Sequence, residues 1–348
     1  MAHSPEFIET IVISTRIRLA RNFASYPFPK KMDDAQAEDI VYLIGHALDE
    51  FDSVESFTKY DMKNLSTQEA EQLQEEYLIS PALLKSKRGA AFVSEDRAIS
   101  IMVNEEDHLR EQYICKGFDL FKAYERISGI DDALAGTYDF AFDDKLGYLT
   151  ACPSNLGTGM RASVMMFLPG LVWNGELKKF LPALKAGGLT VRGSFGEGTG
   201  AEGYVYQVSN ERTLGVSERD VLSDMVRMTM TLCDLEIRAR EQMIKTAETE
   251  IRDRCLRAYG VLTNCAVLSW QEFLLKIADV KLGLALGFFE TKDRKHFDEF
   301  LDDMRPTAFR INNGLIGESE ELCDMLRAEA ACGALPSLVR VVRRSKRG

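Results

Sequence analysis

Little in this sequence supports a disulfide framework, a zinc site or a membrane anchor. Its seven cysteines (Cys115, Cys152, Cys233, Cys255, Cys265, Cys323 and Cys332) are odd in number and scattered, none forms a C-x-x-C pair, and the four histidines do not cluster near them. That usage suits a reducing cytoplasm, where a cysteine is either an inert core residue or a chemical one. No run approaches the ~18 apolar residues of a membrane span. The opening MAHSPEFIETIVIS has no basic segment followed by an apolar stretch, so no signal peptide is expected. Basic charge is also short: 43 Lys and Arg against 54 Asp and Glu give a net charge of −11, which argues against nucleic acid as a general partner. No internal repeat or low-complexity linker divides the chain.

What is present is the profile of an ordinary globular protein, 45% hydrophobic and 28% charged over 348 residues, enough for one large domain and a smaller one. Apolar runs at Ala91–Val93 and 98–103, around the turn-like Ser94-Glu95-Asp96-Arg97, predict a hairpin. Tyr148–Ala151, Leu189–Val191 and Tyr204–Val208 are further strand candidates, bounded by Gly and Pro, and residues 34–49 and 66–77 read as helices. From Ser217 the pattern changes. Ser217 with Asp220, and Ser269 with Glu272, are cap signals opening long helical patterns, and nothing after about residue 255 looks like a strand. The expected class is α+β: an antiparallel sheet flanked by helices over 1–254, then an all-helical domain over 255–348. The acidic 66–77 and the basic tail from Arg340 read as a solvated helix face and a frayed end.

Four segments carry more arginine, carboxylate or reactive side chains than their apolar surroundings need. In Ser14-Thr15-Arg16-Ile17-Arg18, strand alternation puts Ser14, Arg16 and Arg18 on one face. Two arginines side by side there repel unless an anion sits between them or acids pair with them; both readings fit. In Asn104-Glu105-Glu106-Asp107-His108-Leu109-Arg110 the acids either form a solvated turn or accept hydrogen bonds from a cationic substrate beside an arginine that holds an anion. Thr150 to Ser163 is a tight polar loop with Cys152 near its start, the setting in which a thiol meets backbone dipoles. In Val191–Gly200, four glycines in eight residues suggest a loop able to close over a ligand, with Arg192 and Glu197 in it.

Taken together, these residues resemble the phosphagen (guanidino) kinases. The family's C-P-S/T-N-L-G-T signature stands complete from Cys152 to Thr158. It is preceded by the S-x-R-x-R strand and N-E-E-D-H-x-R, and followed by R-A-S (Arg161-Ala162-Ser163) and R-G-x-x-G-E (Arg192 to Glu197). The chain is most similar to one branch, the bacterial protein-arginine kinases, because little sequence precedes Ser14; a helical domain that helps enclose a small substrate is therefore expected to be missing.

The resemblance implies an ATP-dependent kinase with Mg²⁺. Arg16, Arg18, Arg110, Arg161 and Arg192 would clamp the nucleotide phosphates within the stretches Ser14-Thr15-Arg16-Ile17-Arg18, Arg161-Ala162-Ser163-Val164-Met165 and Arg192-Gly193-Ser194-Phe195-Gly196-Glu197. Glu106 and Glu197, with Glu105 adjacent, would hold the guanidinium, one of them as base, and Cys152 would polarise it as a thiolate. His108 is read as structural. The resemblance further implies protein substrates with exposed arginine, marked for Clp-type proteolysis in stress, a zinc-binding activator protein and a homodimer. Two departures stand out: Ala82 replaces the histidine expected in I-S-P-H-L, and Cys323 replaces the first arginine of the phosphoarginine-binding R-D-x-x-R-A, leaving Asp324 and Arg327. A kinase for a small guanidino compound and an inactive adaptor are the competing functions; retention of Cys152, the glutamates and the arginines together argues against the adaptor.

Overall fold

The structure, a computed structural model, describes residues 8–50, 55–193 and 202–343. Two compact units divide the chain, the first made of residues 1–166, 181–191 and 207–232, the second of 167–180, 192–206 and 233–348.

The first unit is built on an eight-stranded sheet in the order β2-β3-β4-β5-β1-β8-β10-β9. Its strands are β1 (Val12–Arg21), β2 (Phe57–Asp61), β3 (Ala90–Ser94), β4 (Ile99–Val103), β5 (Leu109–Lys116), β8 (Met160–Phe167), β9 (Leu189–Gly193) and β10 (Val205–Asn210). A separate two-stranded hairpin is formed by β6 (Phe142–Asp143) and β7 (Gly147–Tyr148). The helices of the first half are α1 (Asp34–Glu50), α2 (Thr67–Glu75), α3 (Pro81–Lys85), α4 (Leu120–Thr137), α5 (Pro169–Trp173) and α6 (Leu177–Ala186).

Long β1 lies at the centre, paired antiparallel with β5 on one side and β8 on the other. Its odd-numbered side chains Thr15, Ile17 and Leu19 are almost wholly buried on the face that α4 covers through Leu120, Ala123, Ile127 and Leu134. Its even-numbered side chains face the other way, as period-two alternation requires. The predicted 94–97 turn joins β3 and β4: Ser94 Oγ takes the Ile99 amide, and Arg97 adopts φ 56°. Predicted helices 34–49 and 66–77 are α1 and α2, the latter opened by a complete Ser66/Glu69 capping box. The expected strand Tyr148–Ala151 is reduced to the end of β7; Leu149 to Ala151 are instead taken up by the cysteine loop.

The remaining elements are α7 (Glu218–Leu262, interrupted at Ala247), α8 (Trp270–Ala285), β11 (Phe289–Thr291), α9 (Arg294–Asp303), α10 (Pro306–Asn312), α11 (Glu320–Leu338) and β12 (Val339–Val341). Both predicted caps hold: Ser217 Oγ accepts the Asp220 amide at 3.1 Å and Ser269 Oγ that of Glu272 at 3.2 Å. Within the second unit, Phe273 of α8 packs against Trp270 and Phe300, and Gly283 lies so close to the Phe289 ring that a Cβ would come within 2.4 Å of it. The C-terminal part is helical but not wholly so. β11 and β12 pair antiparallel over three residues each, which corrects the expectation of no strand after residue 255. Strands so short carry no periodicity to read; their pairing comes from the helices that bring their ends together.

Candidate functional site

The register of the central strands assembles one cationic face. Directly opposed residues of neighbouring strands project to the same side. Arg18 is opposite Gln112 on β5 and Arg161 on β8, and Gln112 is opposite Ser100 on β4, so these four form a row across four strands. One step along, Arg16 lies between Ile114 and Ser163; one step the other way, Arg110 is opposite Ala20. Arg16, Arg18, Arg110 and Arg161, distant in sequence, thus share one patch.

Its electrostatics are unfavourable. Burial, then the neighbouring Arg110 and Arg161 charges, lower the Arg16 guanidinium to about 10, with Tyr77 opposing them. Burial and the charges of Arg16, Arg110 and Arg161 push Arg18 well below its ordinary value, only partly offset by Glu105. Arg18 Nε is buried with no hydrogen-bond partner. Arg161 donates to Ser209 Oγ at 3.0 Å, while Asn210 fixes its strand by accepting the Ala162 amide at 2.8 Å. Arg110 is paired with a carboxylate: its Nη1 bonds both Glu105 oxygens at 2.9 and 2.8 Å, and Ser80 donates to the same carboxylate. A patch of this kind fits a polyphosphate, whose oxygens would meet the unused guanidinium donors.

The acidic loop leaves β4 through Asn104, which takes φ 59° and donates to Ala37 O and Arg88 O. Its members divide by role. Glu105 is held by Arg110 and Ser80, whereas Glu106 is exposed. Asp107 is buried and accepts Asn22 Nδ2 and the Ala151 amide, each at 2.6 Å; burial raises its pKa despite these bonds. His108 is fully buried: Nδ1 accepts the Phe23 amide at 3.0 Å, which leaves the proton on Nε2 to donate to Pro27 O at 2.9 Å. Burial also lowers its pKa, and it stacks on Phe23, so it is a structural residue as read from the sequence.

Asp107 therefore ties the acidic loop to the cysteine loop, one residue before Cys152. Cys152 is half-buried, with Sγ 3.0 Å from Ser154 Oγ. Thr213 closes this loop from outside, its hydroxyl donating to Ser154 O and Leu156 O.

Not every sequence-derived candidate faces the patch. Thr15, Ile17, Ala162 and Val164 are wholly buried on the reverse side, so only their backbones could serve a ligand there. Ser14, Ser163 and Met165 share the parity of the arginine face, Ser14 opposite Met165. Arg192 is exposed and, with Gly193, ends β9. Ser194, Phe195, Gly196 and Glu197 lie outside the described residues. Ala82 is exposed on short α3. Asp324 and Arg327 meet in α11, where Arg327 is completely buried and donates to Asp324 and to Leu268 O.

Sequence reasoning missed Asn22, Ser80, Gln112, Ser209, Asn210 and Thr213. Each is an ordinary polar residue whose value lies in long-range hydrogen bonds. Asp107 reads in sequence as one more acid in a run; burial alone separates it from Glu106.

The described site is therefore a cationic sheet face with a carboxylate loop and a thiol loop tied together by Asp107. Residues 39–239 match the family described as ATP:guanido phosphotransferase, C-terminal catalytic domain, and residues 248–340 match the protein-arginine kinase McsB C-terminal domain. Similar proteins include the protein-arginine kinase of Clostridium acetobutylicum, 43% identical over 315 residues (89% of this chain, 92% of that protein), and that of Caldanaerobacter subterraneus subsp. tengcongensis, 40% identical over 313 (89% and 93%). Among solved structures, lombricine kinase is similar with a TM-score of 0.59 and 27% identity, covering 68% of each chain. The duplicated taurocyamine kinase from Schistosoma mansoni has a TM-score of 0.62 and 25% identity, covering 76% of this chain and 40% of that one. The chain belongs to the ATP:guanido phosphotransferase family, in its protein-arginine kinase branch. Among the described residues no helix is long and apolar enough to cross a membrane.

Proposed function

We propose that this chain is an ATP-dependent protein-arginine kinase, moving the γ-phosphoryl group of ATP to a guanidinium nitrogen of an arginine in a protein. The observation that carries the reading is the shared patch of Arg16, Arg18, Arg110 and Arg161, in which burial and like charges lower Arg16 and Arg18, with the exposed Glu106 on the loop that leads into Arg110. Their planar forks take the phosphate oxygens in pairs and stabilise charge spread over the transferring group, so catalysis is mainly positioning and electrostatics. Mg²⁺, arriving with the nucleotide, supplies further neutralisation.

An arginine side chain is a protonated guanidinium at neutral pH, so the attacking nitrogen must shed a proton. Glu106 is our choice of base, because Glu105 is already committed to Arg110 and Ser80. As the N–P bond forms and the bond from phosphorus to the β–γ bridging oxygen breaks, the proton passes to Glu106 and ADP leaves. Cys152 Sγ accepts from the same guanidinium and does not attack phosphorus. Arg192 and Glu197 enter through the family motif rather than through geometry.

From the resemblance alone come the cytoplasmic setting, the link to stress and Clp-type proteolysis, a zinc-binding activator, and dimerisation or regulation through the helical C-terminal domain. Phosphoarginine regulation at Asp324 and Arg327 would require Arg327 to leave its buried partners.

The test is mass spectrometry of an arginine-rich protein incubated with enzyme and Mg·ATP, beside a Glu106→Ala control. Acid-labile phosphate on arginine that the variant fails to add is the expected result. Turnover of free arginine with none on protein would favour the small-molecule kinase instead.

A further inference from the structure

The loop bearing Cys152 continues directly from the β6–β7 hairpin, and the two are clasped together. The Tyr148 amide donates to Gly157 O at 2.8 Å, and the Gly157 amide returns to Tyr148 O at 3.4 Å. Glycine is required at both crossing points. A Cβ on Gly147 would lie 2.4 Å from Gly157 O, and one on Gly157 2.3 Å from Thr213 O and 2.8 Å from Leu214 Cα. Gly147, Gly157 and Leu214 are therefore in successive contact, and the hydroxyl of Thr213 bonds the thiol loop from the same side.

This fixed base carries apolar side chains that the fold does not use. Phe142 is 58% exposed, Leu146 43% and Leu214 44%. Phe142 touches the Tyr148 ring edge-on at 5.3 Å and otherwise faces solvent. Asp143 holds the hairpin tip by accepting the Lys145 and Leu146 amides at 2.8 and 3.0 Å, and Asp144 beside it is exposed. Single exposed apolar residues need no explanation, but several gathered on a rigid base beside a reactive loop mark a binding surface. The tip carries Asp143 and Asp144 against one cation, Lys145, and with the chain's net charge of −11 this balance favours a basic occupant.

We propose that the β6–β7 hairpin, with Leu214, is the docking surface for the polypeptide segment flanking the acceptor arginine. Phe142, Leu146 and Leu214 receive an apolar side chain close to that arginine, and Asp144 favours a basic stretch. The inference rests on the protein-arginine kinase reading and deepens it, making the hairpin a determinant of which arginines are modified.

Two twelve-residue peptides, each with one arginine, test it: one has leucine two residues to either side, the other serine. With Mg·ATP, kcat/KM should be about tenfold higher for the leucine peptide, mostly through KM, as expected for an apolar contact in a partly open site. The double variant Phe142→Ser, Leu146→Ser should narrow the ratio to within about twofold, with an unfolding temperature close to that of the parent. Leu214→Ser, on the other segment, should narrow it without altering the hairpin. Equal rates on the two peptides for the parent enzyme, or a ratio that survives both variants, would overturn the docking surface while leaving the kinase reading intact. Phosphate on neither peptide, nor on an arginine-rich protein, would overturn the kinase reading and the docking surface with it.

Discussion

Strand β1 places arginines on both of its faces, and the two faces treat them in opposite ways. Arg21, on the α4 side, is compensated in full. Its Nε and Nη2 grip Asp131 at 2.9 and 2.7 Å, Nη1 donates to Ala20 O and Thr158 O, and the guanidinium lies 3.6 Å above the Tyr148 ring. Despite burial, Asp131 raises its pKa. Arg16 and Arg18, five and three residues earlier, lie on the other face with more positive than negative neighbours, and both are lowered. A buried charge with a matched partner maintains the fold; one held among like charges lacks a matched anion among the described residues. The family relationship and this physical contrast point to the same face.

The contrast can be broken from either side. The largest effect is expected at the structural pair. Asp131→Ala leaves Arg21 buried and unpaired and should cost about 3–5 kcal/mol in denaturant unfolding; a loss below about 1 kcal/mol would erase the distinction between the faces. Next, Arg18→Met should lower the phosphotransfer rate about 10²–10³-fold, the usual worth of one transition-state donor. The same variant without nucleotide should unfold no earlier than the parent, because it removes like-charge repulsion and an orphaned Nε. Of similar size is the response to ligand: Mg·ATP at 100 times its Kd should stabilise the parent by about 2.7 kcal/mol, and at that same concentration Arg18→Met should lose most of the gain.

The smallest effect sharpens the picture of the reverse face. Glu111, opposite Leu19, is wholly buried beside Asp131. Burial, then Asp131, raises its pKa well above the ordinary 4.5. The unfolded chain therefore ionises first, and this group's contribution to stability falls as pH rises from about 4.5 through its folded-state value. Glu111→Gln should be more stable than the parent at pH 8, and thermal unfolding at pH 4 should show the difference shrinking towards zero.

Much of this site was legible because its motifs are local. Alternation in Ser14-Thr15-Arg16-Ile17-Arg18 suffices to put two arginines on one face, and the Cys152–Thr158 signature marks the thiol loop. The division of labour among Glu105, Glu106 and Asp107 was not legible. Three adjacent acids look alike until Arg110, Ser80, Asn22 and the Ala151 amide arrive from distant segments. The short pair β11/β12 was hidden for a related reason: three residues hold no period.

By itself, then, the sequence determined the class of fold, the helix starts at Ser66, Ser217 and Ser269, the parity of β1 and the family, since each rests on neighbours within a few residues or on an intact motif. Tertiary structure alone decided which arginines share a patch, which carboxylate stays free, and which apolar residues remain outside on the hairpin. Those depend on strand order, register and burial, and the free energy of a charge or an apolar side chain is set by what surrounds it in space.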